Sequence, residues 1–279
     1  MHEQDIVPPL GPAPKLTYAE PDDPWIRRTI INVIERVCGR AYFDRLYHEV
    51  RDMRLPKDEI WPMVVEKVGM EIDYQQAQLD KIPREGPVVV VANHPFGIPD
   101  GLALLYLIQR TRPDTFIMLN SVLAKEEQVE DFLIPVSFRK GPEAKEANYA
   151  AGARAIERLQ NGECFLVFPG GGVATAPHPF TTRPREFPWR RFIAKTIQDS
   201  EATVLPIFVH GRNTWPFHMA SFIHTTLRLG LLIREFHLKL RKPVQLTIGD
   251  PMHFADLPEQ VRSDRQTLID HLYEVTMGL

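Results

Sequence analysis

GPVVVVANHPFGIPDG, residues 86–101, carries the decision about the fold. Val88 to Ala92 is a continuous apolar run. It is too short for a helix and lacks the alternation of a half-exposed strand, so it reads as a strand buried on both faces. Pro95, Gly97 and Pro99 then force a turn, and GLALLYLIQR at 101–110 resumes as a helix. A buried strand, a turn and a helix make the opening half of a βαβ unit.

Downstream the same alternation repeats. TFIML (115–119) reads as a strand, 144–159 as a helix, CFLVF (164–168) as a strand and 188–198 as an amphipathic helix. TVLPIFVHG (203–211) is another strand, 218–238 is apolar and basic with helical character, VQLTI (244–248) is a last strand and 257–277 a last helix. Upstream, apolar residues from Ile26 to Val50 recur near helical spacing, giving one amphipathic helix or two broken at Gly39. A further helix is predicted from about Pro56 through Val65, with Pro62 fitting only in its first turn. The expectation is an α/β fold: a mixed, largely parallel central sheet flanked by helices, with an N-terminal helical cap. Residues 1–24, rich in Pro and acids, form an extended or disordered arm; 25–69 form the cap and 70–279 the α/β domain.

Composition narrows the function classes. The 279 residues are 44% hydrophobic and 25% charged, ordinary values for a globular chain. Cys38 and Cys164 fit no zinc spacing and no disulfide framework, so a reducing compartment is the default, and Cys164 in CFLVF reads as a buried strand cysteine. No secretory signal and no run of membrane-spanning length is visible. Net charge is −3, yet residues 134–242 hold 16 Lys and Arg against 8 Asp and Glu. That basic excess suggests an anionic partner, with scattered solvated charge as the alternative. No nucleic-acid-binding module accompanies it.

Four stretches could carry chemistry. His94 sits just past the carboxyl end of the buried strand, where open α/β sheets bind ligands. Asp100, at the next helix start, can fold back onto one imidazole nitrogen, fixing the tautomer and leaving the other nitrogen as general base for a hydroxyl. Alone, such an Asp reads better as a helix cap; the company of the other stretches favours the dyad. Arg139 and Lys140 in IPVSFRKG could hold a phosphate or carboxylate, or be an exposed basic pair. Gly170, Gly171 and Gly172 in FPGGG could present backbone N–H groups to a ligand or oxyanion, or form only a flexible loop. Arg212 in VLPIFVHGRN is a further anion ligand candidate, while His210 reads as structural. PWRRFIAKTI and the stretch from Trp215 to Lys242 mix Trp, Phe and Leu with Arg and Lys, which suits helices lying in a bilayer interface or packed on the core.

NHPFGIPDG, SFRKG, FPGGG and VLPIF, in this order, resemble the glycerophospholipid (lysophospholipid) acyltransferase family over residues 75–255. GRAYFDRLY, the lengthened His-Asp turn and HGRNTW are similar to its bacterial branch labelled hemolysin or aminolipid O-acyltransferase. Two departures stand out. Five residues separate His94 from Asp100 where the family motif has four, and glycine replaces the usual glutamate of the third block, which makes an acceptor head other than glycerol phosphate plausible. The resemblance implies an acyl-CoA or acyl-carrier-protein donor and a lyso-lipid acceptor, either lysophosphatidic acid or a lyso-aminolipid such as a lyso-ornithine-type lipid. It implies no metal and no cofactor beyond the co-substrate, His94 and Asp100 as the catalytic pair, and a peripheral place on the cytoplasmic face of the inner membrane. A thioesterase using the same dyad, and a non-catalytic membrane-associated lipid-binding protein, are the alternatives.

Overall fold

The described residues of the computed structural model are 17–19, 22–121, 127–137, 141–178, 181, 184–240 and 242–279. Among them, seven strands make one sheet: β1 (Ile72–Asp73), β2 (Val88–Ala92), β3 (Thr115–Asn120), β4 (Leu133–Val136), β5 (Cys164–Val167), β6 (Thr203–Val209) and β7 (Val244–Ile248). Their spatial order is β1-β7-β6-β2-β5-β3-β4. Every pairing is parallel except β6 with β7. The fold class is therefore α/β with a largely parallel sheet.

The valine run explains itself in this frame. Val88, Val90 and Ala92 belong to a core on one sheet face, with Val89 and Val91 in a second core on the other. A strand buried on both sides needs apolar side chains at every position, which erases alternation. The first face is covered by α3 (Lys57–Val68) and α4 (Ile98–Gln109). The second is covered by α5 (Pro142–Gln160), α6 (Arg191–Ser200) and α10 (Arg265–Met277).

The N-terminal helices are α1 (Trp25–Val37) and α2 (Arg40–Asp52), divided at Gly39, whose φ of +95° suits glycine. Pro62 lies within α3 beyond its first turn, on the exposed face. The helix continues past it because Ile60, Trp61, Val65 and Val68 are buried. Of residues 1–24, only 17–19 and 22–24 are described. Tyr18 and Ala19 are buried, because the buried Glu35 carboxylate accepts from the Thr17 hydroxyl at 2.7 Å and the Tyr18 N–H at 2.8 Å.

Two regions read as continuous helices are each divided. The apolar, basic stretch becomes α7 (Trp215–Ile223) and α8 (Thr225–Lys239), with extended His224 between them accepting from the Thr226 N–H at 3.1 Å. The last helix splits into α9 (Glu259–Ser263) and α10 at Asp264, which accepts from the Thr267 N–H at 2.8 Å. In both places a polar side chain satisfies a free N–H and starts a new helix, something hydrophobic period does not encode. Among the described residues no helix is long and apolar enough to cross a membrane.

Candidate active site

β2 and β6 are paired along their length, and Asn93 extends that pairing with its side chain. Its amide donates to the Val209 C=O at 2.9 Å and accepts from the Val209 N–H at 2.6 Å, all buried. Asn93→Ala leaves both backbone groups without a partner. We expect about 2–3 kcal/mol loss of stability in chemical denaturation, and a change within experimental error would contradict this clamp.

The next residue is His94. From Pro95 the chain turns through Gly97, at φ +101°, into α4. An added Cβ on Gly97 would stand 3.2 Å from Leu232 and 3.3 Å from Val173, so both conformation and space require glycine. This turn absorbs the five-residue spacing and returns Asp100 to His94. The wholly buried Asp100 places Oδ2 2.9 Å from Nδ1 of His94 and accepts on the same oxygen from the N–H groups of Phe96 at 2.9 Å and Gly97 at 3.0 Å. Capping the helix and facing the imidazole are thus one arrangement. The imidazole N–H is not yet aligned on Oδ2, and Oδ1 is buried without a partner among the described residues.

His94 is fixed on its other sides. Its ring stacks on Phe168, centroids 4.0 Å apart and planes 21° apart. Its C=O accepts from the Ala174 N–H at 2.8 Å, and its N–H donates to Glu186 Oε1 at 2.9 Å. The side chain keeps 16% of its surface exposed. Beside it opens a cleft of about 350 Å³ lined by residues including Asn93, Pro95, Glu186, Phe208, Gly211 and Arg212. His94 is not itself among the lining residues; its neighbours in sequence, Asn93 and Pro95, are. Gly211 is held at φ +117° against the ring of Phe96, over which Lys239 Nζ sits at 3.6 Å.

The other candidates are placed as follows. Arg212 lines the cleft. Arg139 and Lys140 lie outside the described residues; the strand that leads to them is β4. Gly170 to Gly172 follow β5, and the Gly171 N–H is already donated to the Phe168 C=O at 2.9 Å. A Cβ on Gly170 would approach the Phe187 C=O to 3.0 Å and Glu186 Oε2 to 3.3 Å, and one on Gly172 would meet the Phe187 ring at 3.2 Å. The glycines therefore let the 186–187 segment close over this loop. His210 Nε2 is 2.7 Å from Thr247 Oγ1, a link between the end of β6 and β7. Cys164 is buried in β5, where burial pushes its thiol up to about 12, so it stays protonated. PWRRFIAKTI does not present an apolar face to solvent: Ile193, Ala194 and Ile197 of α6 are buried in the second core.

Glu186 was not singled out by the sequence. It is the lone acid between Thr181 and Lys195, among Arg183, Arg185, Arg190 and Arg191, and so reads as a surface ion-pair partner. Folding brings it against Gly170, where the third block departs from its usual glutamate. Burial, opposed by the His94 N–H and imidazole and reinforced by Asp100, pushes its carboxyl up to about 7. With the folded value raised above the unfolded one, the native state binds this proton more tightly. The stability so contributed is present below the unfolded value near 4.5 and is lost as pH rises through about 7. Between pH 5 and 8 the wild type should lose about 2–3 kcal/mol more than Glu186→Gln. Parallel stability–pH curves for the two proteins would refute this.

The family model described as Acyltransferase matches residues 20–261. A lyso-glycine lipid O-acyltransferase of Bacteroides thetaiotaomicron is 25% identical over 183 residues, covering 62% of this chain and 64% of that protein. One of Phocaeicola vulgatus is 25% identical over 187 residues, covering 62% of each. The matches thus span less than two thirds of either relative. The crystal structure of the 1-acyl-sn-glycerophosphate (LPA) acyltransferase PlsC from Thermotoga maritima is similar at a TM-score of 0.47 and 17% identity, over 91% of this chain and 95% of that one.

Proposed function

This chain belongs to the acyltransferase family, and on that premise we propose that it moves a fatty acyl group from a thioester, acyl-CoA or acyl carrier protein, onto the hydroxyl of a lyso-lipid. The observation that carries the reading is the His94–Asp100 pair, 2.9 Å apart just past the end of β2, with Asn93 and Pro95 on either side of His94 lining a cleft.

Nδ1 faces Asp100, which leaves Nε2 as the proton acceptor. His94 takes the acceptor hydroxyl proton as its oxygen attacks the thioester carbonyl. Asp100 holds the ring and stabilises the imidazolium. The C–S bond then breaks, the new ester forms and the imidazolium returns its proton to the leaving thiolate. No acyl-enzyme is required, since a thiolate leaves readily, and much of the rate comes from holding hydroxyl and thioester together. Backbone N–H groups of Gly170 or Gly172 are candidates for the oxyanion. Arg212, with Arg139 and Lys140, would hold the acceptor's acidic head.

The relatives' names favour an amino-acid head group over a phosphate ester, as does the glycine in place of the usual third-block glutamate. A membrane-surface location is supported by α1, which exposes Trp25, Ile26, Val33 and Val37 beside Arg27, Arg28 and Arg36, and by α7, which exposes Trp215, Phe222 and Ile223. Both helices pack on α8. Such a mixture of aromatic, aliphatic and cationic side chains suits the interface of an anionic bilayer, here the cytoplasmic face of the inner membrane.

Comparing the lipids of cells with and without this protein tests the reading. A lyso-lipid should accumulate and its O-acylated product vanish in its absence; unchanged lipid classes would reject it.

A further inference from the structure

Arg228, in the first turns of α8, is a partly buried cation without an anion. Its guanidinium carbon lies 5.8 Å from the centroid of the Phe187 ring. Arg40, Arg112 and Arg158, also covered, each hold a carboxylate within 3.0 Å, those of Glu35, Asp114 and Glu163. Arg228 has no such partner among the described residues. Burial pulls its pKa down, and no neighbouring acid opposes the shift. Taking a guanidinium out of water is costly unless an anion compensates, and a ring such as Phe187 offsets only part of that cost. The site is nevertheless open: Arg228 keeps part of its surface exposed, and Phe187 is exposed beside it.

The position of Arg228 indicates where its anion comes from. Its N–H donates to the His224 C=O at 3.4 Å, so it stands one turn in from the break between α7 and α8. Phe222 and Ile223 are exposed at that break. Arg228 is not among the residues that line the cleft beside His94. Resting on the membrane-surface reading above, we infer that Arg228 is a binding site for the acidic head group of a bilayer lipid, set apart from the reaction cleft. Phe222 and Ile223 enter the acyl layer, and the guanidinium, one turn away and beside Phe187, meets a phosphate oxyanion at the level of the head groups. An arginine offers such a group paired N–H donors, and the partly desolvated setting strengthens the attraction. Aromatic and aliphatic side chains around a cation that reaches outward are the surroundings an arginine has at a bilayer interface.

The test uses the purified full chain and sedimentation with phosphatidylcholine vesicles, with and without phosphatidylglycerol, at one salt concentration. Arg228→Met keeps an apolar stem for Phe187 and removes the charge. Arg84→Met is the control: Arg84 is exposed ahead of β2, at the opposite end of that strand from His94, and its loss changes net charge equally. Arg228→Met should bind the acidic vesicles about 5- to 20-fold more weakly, and the neutral vesicles as the wild type does. It should also melt no lower than the wild type, because the charge removed was uncompensated. Arg84→Met should behave as the wild type throughout. Acidic-vesicle binding weakened equally by both variants, or by neither, would overturn the inference. A clearly lower melting temperature for Arg228→Met would assign the guanidinium a structural role and overturn it as well. So would a raised KM for the lyso-lipid in neutral micelles with vesicle binding unchanged, which would move Arg228 into the reaction site. Wild-type protein that binds neither kind of vesicle would reject the membrane-surface reading together with the inference, whereas an acidic-vesicle preference shared by wild type and Arg228→Met would reject the inference alone.

Discussion

Replacing His94 by alanine should lower kcat/KM for acyl transfer about 100- to 10,000-fold, the range lost when a general base is removed. The fold should survive. The imidazole is partly exposed and makes one stacking contact, with Phe168, while the backbone bonds to Glu186 and Ala174 do not depend on the side chain. Stability should fall by about 1 kcal/mol. Initial rates with a thioester and a lyso-lipid, beside a thermal melt of each protein, separate lost chemistry from lost structure. A folded alanine variant with near-normal turnover would remove His94 from the mechanism and leave a lipid-binding protein that retains the fold.

Asp100→Asn should be nearly as damaging, about 100- to 10,000-fold in kcat, by analogy with the loss when the Asp of a Ser-His-Asp triad becomes Asn. Asparagine keeps an oxygen for the N–H groups of Phe96 and Gly97, so the turn and the start of α4 remain supported. What it removes is the negative charge that stabilises the imidazolium and the acceptor that fixes the tautomer. A residue that only caps the helix would tolerate this substitution, so normal activity in the variant would favour the cap alone. Asp100→Ala is a less informative comparison, because two buried N–H groups lose their partner and the turn itself loosens.

How much of this was legible in the sequence depends on the kind of interaction. The VVVVA run specified a strand buried on both faces, and Pro95, Gly97 and Pro99 specified the turn that returns Asp100 to His94. Both depend on local composition, which a sequence states directly. The breaks at His224 and Asp264 were not legible, since each rests on one side chain satisfying one N–H. The burial of the α6 stripe was also undecided, because hydrophobic period marks an apolar face without saying whether protein or lipid covers it. Glu186 was hidden more deeply. Its flanking arginines suggest a surface residue, and only the closure of its segment over Gly170 and Gly172 places its carboxylate beside His94. Three successive glycines suggest a ligand-facing loop, whereas their structural use is to admit that segment. Arg139 and Lys140 fall outside the described residues.

The most direct measurement counts thiol and ester together. Purified protein is given a labelled acyl thioester in mixed micelles, with and without an N-acyl amino-acid lyso-lipid, and released thiol is compared with labelled ester and free fatty acid. An acyltransferase of the kind described releases one thiol for each ester formed and nearly none when the acceptor is withheld. Thiol release at an undiminished rate without acceptor, with label collecting as free fatty acid, would mean that the imidazole activates water and would contradict acyl transfer.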